Sequence, residues 1–160
     1  MQAVRPAYPL PGPLRVRNSP ADRVPSHGSS AFASGYAIDL VPVDARGRSA
    51  RVGMGELLSP QPPRRASGGW PGPAGNHVIL RLDDGRCHVA LCHLQRGSLR
   101  VHMGQSVVRG EPLACCGNSG NSTEPHVHLQ AMDDADPETA GALPLELRGG
   151  VPRSGVIVRA

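Results

Sequence analysis

Lysine is missing from this 160-residue chain, so all 17 of its basic side chains are arginines. They run from Arg5 to Arg159 without forming a basic run, and the formal charge of +4 therefore admits two readings: a solvated basic surface, or general attraction to an anionic surface such as a wall polymer or nucleic acid. Aromatic side chains are almost as scarce, limited to Tyr8, Phe32, Tyr36 and Trp70. That scarcity removes the stacking platform a base-binding domain needs, so nucleic acid is not an expected partner. It also means that the core has to be built from Val, Leu, Ala and Cys. No run approaches the roughly 18 apolar residues of a membrane span. Pro6, Pro9, Pro11 and Pro13 interrupt any apolar stretch near the start, so no signal peptide is visible in this chain, and localisation is left unknown. Cys87, Cys92, Cys115 and Cys116 fit no metal template with paired two-residue spacers, and they read as buried thiols or as a disulfide framework whose pairing the sequence does not choose. A helical period of useful length is absent as well.

Glycine and proline are abundant, at 20 and 17 residues, and they punctuate short apolar segments. Residues 1–25 read as an extended, Pro- and Arg-rich lead-in lying along the surface. Residues 26–135 read as one β domain with an irregular insert at about 46–75, and 136–160 as an extension packed on that domain or trailing from it. Within the domain, alternation predicts a strand over Ser34–Val41, with Ala37, Asp39 and Val41 on one face and Tyr36 and Ile38 on the other. The Asp-Gly step inside Asp83-Asp84-Gly85-Arg86 joins two apolar segments, 76–82 and 87–94, and predicts a hairpin. On its second strand Cys87, Val89, Leu91 and His93 share a face, which makes His93 either a hydrogen-bonded core histidine or one facing a pocket. Further short strands are predicted at 98–102, 106–108 and 113–116, with another possible near 51–58. The fold class that follows is all-β: an antiparallel sheet or β-sandwich-like core with long loops.

Chemistry concentrates in Glu124-Pro125-His126-Val127-His128-Leu129-Gln130. Side chains of an extended strand alternate, so His126 and His128 point to one side and can act on a single small object. The polar run Gly117 to Thr123 reads as the tight loop feeding that strand. Two imidazoles at a loop mouth suggest a metal site. The carboxylate of Asp39, set inside an apolar strand pattern, is either a strand-end capping group or a partner to them. Trp70 reads as packing its long loop down or as lining a groove.

Taken in order, His27, Tyr36-Ala37-Ile38-Asp39, Gly75-Asn76-His77-Val78-Ile79-Leu80, Cys92-His93-Leu94, Gly117-Asn118-Ser119-Gly120 and Pro125-His126-Val127-His128 resemble the lysostaphin/LytM-type family of zinc metallopeptidases, also called glycyl-glycine or murein endopeptidases. The resemblance covers about residues 26–131. It implies a β-sheet core with a groove above one zinc ion held by His27, Asp39 and His128, with His93 and His126 as catalytic histidines. It implies hydrolysis of peptide cross-links in bacterial peptidoglycan, with peptidoglycan peptides as the partner. A catalytically weak or inactive relative that binds wall fragments or regulates another hydrolase is the alternative. Two departures from the family pattern stand out: eleven residues separate His27 from Asp39, a longer spacer than the common form, and 51–56 is a degenerate version of its glycine-terminated strand. No His-Glu-x-x-His segment supplies a glutamate base, so proton transfer falls to the histidines, whose imidazoles titrate near neutral pH.

Overall fold

The computed structural model describes residues 3–49 and 72–160. The strand considered near 51–58, most of the loop leading to Gly75, and Trp70 lie outside the described residues. The described elements are β1 (Pro13–Arg17), a short 3-10 segment (Ala31–Tyr36), β2 (Ile38–Pro42), β3 (Asn76–Arg81), β4 (His88–Leu94), β5 (Val127–Met132), β6 (Ala142–Leu143) and β7 (Ile157–Arg159). They build one antiparallel sheet in the order β3-β4-β5-β2-β1-β7, with β6 paired to the end of β5. The chain is thus all-β, as its patterning predicts.

Alternation explains the layering. Ile38 pairs with Leu129, Leu40 with both Val127 and Val16, and Leu91 with Leu129, so these side chains line one face. There they join Leu14, Val89, Ala131, Leu143, Leu145 and Leu147 in the main core. Each fully buried aliphatic side chain contributes about 1.5–3 kcal/mol, which a core with few aromatics has to collect from many residues. The opposite face carries a smaller cluster of Ala33, Ala74, Ala90, Cys92 and Met132, and the candidate site lies beside it. All six residues of β5 are buried because both of its faces are covered.

Three local expectations change. Ser34–Tyr36 belong to the 3-10 segment, so the strand begins at Ile38. Phe32 and Ala33, at φ 55 and 57, adopt the left-handed conformation that residues with a side chain rarely take. The segments 98–102, 106–108 and 113–116 form no strand; only an isolated bridge links Leu94 to Cys116. Side chains there capture the backbone donors a ladder would use, since the Val108 N–H donates to Glu111 and the Cys115 N–H to Ser98 Oγ. Residues 13–17 do not run along the surface: β1 sits between β2 and β7, with Leu14 and Val16 fully buried. The predicted hairpin is present, closed by the Leu82 N–H donating to the Cys87 carbonyl.

Candidate metal centre

Register brings the first two site residues together. Asp39 on β2 stands directly opposite His128 on β5, and Cys92 on β4 stands opposite His128 from the other side. Directly paired residues on adjacent strands point to the same face. The Asp39 carboxylate lies 3.0 Å from His128 Nδ1 through Oδ1. His27 arrives from the loop before the 3-10 segment, and its Nε2 is 3.2 Å from Oδ1 and 3.1 Å from Oδ2 of Asp39. The eleven intervening residues loop out through the 3-10 segment and return, so the long spacer still closes the cluster. One donor atom from each of His27, Asp39 and His128 lies within 4.8 Å of the others.

His27 is oriented by Ser26. The Ser26 hydroxyl donates to the Ser34 carbonyl and lies 3.0 Å from His27 Nδ1. With its proton committed, Ser26 Oγ accepts from Nδ1–H, which leaves the Nε2 lone pair facing Asp39. A bare imidazole nitrogen beside a carboxylate calls for a cation or a proton between them. Two imidazoles and one carboxylate facing a common point are a hard-to-borderline N/O donor set suited to Zn²⁺ and similar ions, and the residues fit such an ion by donor chemistry.

His93 and His126 stack beside this cluster, with ring centroids 4.6 Å apart and His93 5.8 Å from His128. Strict alternation would send His93 to the core face with Leu91. A register shift intervenes: Asn76 pairs with Leu94 but Val78 with Leu91, so β4 holds an extra residue. His93 adopts φ 63 at that bulge. Bulges commonly re-aim a side chain next to a site, and this one turns His93 onto the face of His126 and His128. His93 Nδ1 donates to the Ser119 carbonyl at 2.8 Å and His126 Nδ1 to the Glu124 carbonyl at 2.8 Å. Both rings, when neutral, therefore present a bare Nε2, and that of His126 is 3.6 Å from Asp39 Oδ1.

The loop that supplies the Ser119 carbonyl is built for close approach. A Cβ on Gly117 would come within 2.4 Å of the Gln95 amide nitrogen, and one on Gly120 within 2.4 Å of that of Gly75. Ser119 Oγ accepts from the Asn76 N–H and donates to the Leu94 carbonyl, tying the loop to the start of β3 and the end of β4.

Electrostatics follow from burial and partners. Burial pushes the Asp39 carboxyl up, but hydrogen bonds and charge from His128 and His27 together outweigh it and hold the group well below the usual carboxylate range. Burial pushes His128 down, and the Asp39 carboxylate reverses that and raises it. Burial, with the neighbouring His126 and His128, pushes His93 down to about 4. Burial also raises the Cys92 thiol to about 12. All of the cysteines are free thiols, and Cys92 packs into the small apolar cluster beside His128, outside the His–Asp–His group.

Motif reading leaves out two groups that the structure brings to the site. Asn18, just past β1 and at φ 45, donates from Nδ2 to Asp39 Oδ2 at 2.7 Å; nothing in its local sequence signals this. Gln130 lies 2.9 Å from His128 Nε2 through Oε1, and its place two residues beyond His128 on one strand face was the available signal. A cavity of about 330 Å³ opens beside the carboxylate, lined by Arg17, Asn18, Asp39, Val41, Thr123, Glu124 and His126. A larger one of about 550 Å³ between Tyr8, Arg109 and Arg148 shares no residue with the cluster, so convergence of reactive groups, rather than volume, marks the site.

An all-β domain whose central strands β4, β5 and β2 gather three histidines and an aspartate on one face, with a fourth histidine from a preceding loop, is the class that fold and site define. Residues 65–139 match the profile of Peptidase family M23, the family that the chain's motifs resemble. The match takes in His93, His126 and His128, whereas His27 and Asp39 precede it. Among solved structures the chain is similar to the catalytic domain of the antimicrobial peptidase lysostaphin from Staphylococcus simulans, with 23% identity over 68% of this chain and 77% of that one and a TM-score of 0.45. No helix among the described residues is long and apolar enough to cross a membrane.

Proposed function

We propose that this chain is a zinc-dependent endopeptidase that hydrolyses peptide cross-links of bacterial peptidoglycan, with His27, Asp39 and His128 holding one ion and His93 and His126 carrying out proton transfer. The observation that carries the reading is the convergence, within one β domain, of a His–Asp–His donor set with two further imidazoles whose Nδ1 protons are both committed to backbone carbonyls. Three protein ligands leave a position open for water, and zinc bound there would lower that water's pKa toward about 7 and polarise a scissile carbonyl.

The chain's own groups account for the remaining work. Asp39 is kept ionised by its neighbours, so it brings a full negative charge to the centre. Asn18 fixes one of its oxygens and thereby directs the other toward the histidines. His93 and His126, each with a bare Nε2 when neutral, are able to accept a proton from the attacking water. The same nitrogens, once protonated, deliver it to the departing amine or stabilise the developing oxyanion. Burial keeps His93 neutral through the physiological range, the state a proton acceptor requires. The cavity beside His126 and Glu124 offers a path for an extended peptide, and the Arg17–Glu124 pair at 3.5 Å stands at its rim.

The test is elemental analysis and wall turnover on single variants. His128→Ala is expected to lose both metal and activity, whereas His126→Ala keeps the metal and loses about 10²–10⁴-fold in rate, the usual weight of general acid–base catalysis. Equal metal loss in the two variants would sink the division of roles. A second reading, a wall-binding relative with little turnover, is favoured by the long His27–Asp39 spacer. Purified chain that binds metal and insoluble wall, yet releases no new amino termini, would establish it.

A further inference from the structure

Gln130 is a buried amide with every polar atom engaged. It is 1% exposed, and its Nε2 lies 2.9 Å from the Phe32 carbonyl and 3.0 Å from Met132 Sδ. Both neighbours are acceptors only, so the NH₂ group must face them and the carbonyl Oε1 must face His128. The amide orientation is thus dictated by its surroundings. The Phe32 carbonyl is aimed at Gln130 from a segment in which Phe32 and Ala33 both hold left-handed backbone, a conformation maintained only where the surrounding structure enforces it.

An Oε1 fixed toward His128 Nε2 at 2.9 Å accepts, so that nitrogen has to carry a proton. The opposite nitrogen, Nδ1, is the one aimed at Asp39, with the His27 ring edge-on to that of His128 at 4.7 Å between centroids. We propose that Gln130 is a positioning residue that keeps the proton of His128 on Nε2, so that Nδ1 alone is available as the ligand atom of the centre, and that the Phe32 carbonyl locks Gln130 into this role. This rests on the metal-binding reading above. The strand makes the arrangement economical: His126, His128 and Gln130 alternate onto one face, so a proton donor, a ligand and the group that sets the ligand's tautomer occupy successive positions of that face. Outer partners of metal-bound histidines commonly act this way, and removing one reduces metal affinity about 10- to 100-fold.

The experiment uses the full chain labelled with ¹⁵N in its histidines. Imidazole ¹⁵N shifts and Nε2 proton exchange are recorded with and without added zinc, and zinc affinity is measured by chelator competition. In the wild type, His128 is expected to show a protonated, slowly exchanging Nε2 in both states, with zinc moving only the Nδ1 signal. Gln130→Leu should speed exchange of that proton and weaken zinc binding about 10- to 100-fold, whereas Gln130→Glu, which keeps an acceptor, should recover most of the affinity. A bare Nε2 on His128 in the wild type, or wild-type affinity in a folded Gln130→Leu variant, overturns the proposal. A wild type that binds no zinc but keeps the protected Nε2 proton sinks the metal reading and leaves the orientation of His128 by Gln130 standing.

Discussion

At the scale of single residues, the site places histidines in opposed environments. His93 is driven toward neutrality by burial and by its imidazole neighbours, while His128 is drawn toward the charged form by Asp39. These shifts bear on stability with opposite signs. Folded His93 takes up a proton only near pH 4, whereas the unfolded ring does so near 6.5. The unfolded state therefore binds more protons between these values, and stability rises with pH across that window. His128, raised by its partner, contributes stability that is present below about pH 6.5 and fades as pH climbs through its folded value. Asp39, held low, loses its contribution only on the acid side of the ordinary carboxylate range. In chelator-treated protein, replacing His93 by Gln should remove an upward slope between about pH 4 and 6.5 worth at most about 3 kcal/mol. Urea unfolding at several pH values checks this, and a slope that is unchanged in the variant would show that folding does not lower the proton affinity of His93.

At the scale of elements, the local signals were the most legible. The Asp-Gly turn and its flanking strands, the paired histidines at the start of β5 and the Gly-bounded loop at 117–120 all follow from patterns a few residues long. Cross-strand register was harder to read, because it depends on which strands meet. Nothing local says that Asp39 stands opposite His128, or that an extra residue in β4 turns His93 away from the face its alternation assigns. The short strands expected within 98–116 failed for a physical reason, since Ser98 and Glu111 take the backbone donors of Cys115 and Val108. The lead-in misled because proline on both sides hid five residues whose alternation is regular: Leu14 and Val16 point inward while Arg15 and Arg17 do not. If β1 is an integral strand, Leu14→Ala should lower unfolding free energy by about 2–5 kcal/mol, the range for a buried leucine truncated in a core. Denaturant titration measures it, and a change under about 0.5 kcal/mol, typical of surface positions, would mean that β1 is loosely attached.

On the scale of the whole molecule, the sheet order explains why the candidate centre was only half readable. Its aspartate sits on β2, adjacent in space to β5 but 89 residues away in sequence from His128, and its remaining histidine comes from a loop that belongs to no strand. Motifs supply candidate ligands, whereas closure of the cluster is a property of the fold. That closure has a thermodynamic consequence. An ion bound at His27, Asp39 and His128 joins the loop before the 3-10 segment, β2 and β5, and those ligands are held together only in the folded chain. Zinc should therefore stabilise by mass action, about 2.7 kcal/mol at a free concentration one hundred times its Kd. For a chain of this size that corresponds to a rise of about 5–10 °C in Tm, since each kcal/mol moves the midpoint by about 2–4 °C. Calorimetry with and without zinc, and after chelation, makes the comparison. Asp39→Asn should abolish the response, since an amide removes the charge while leaving the shape of the side chain. Cys92→Ala should retain it, because that thiol belongs to the small apolar cluster and lies outside the His–Asp–His donor set. A zinc response that survives in Asp39→Asn would place the ion elsewhere on the molecule.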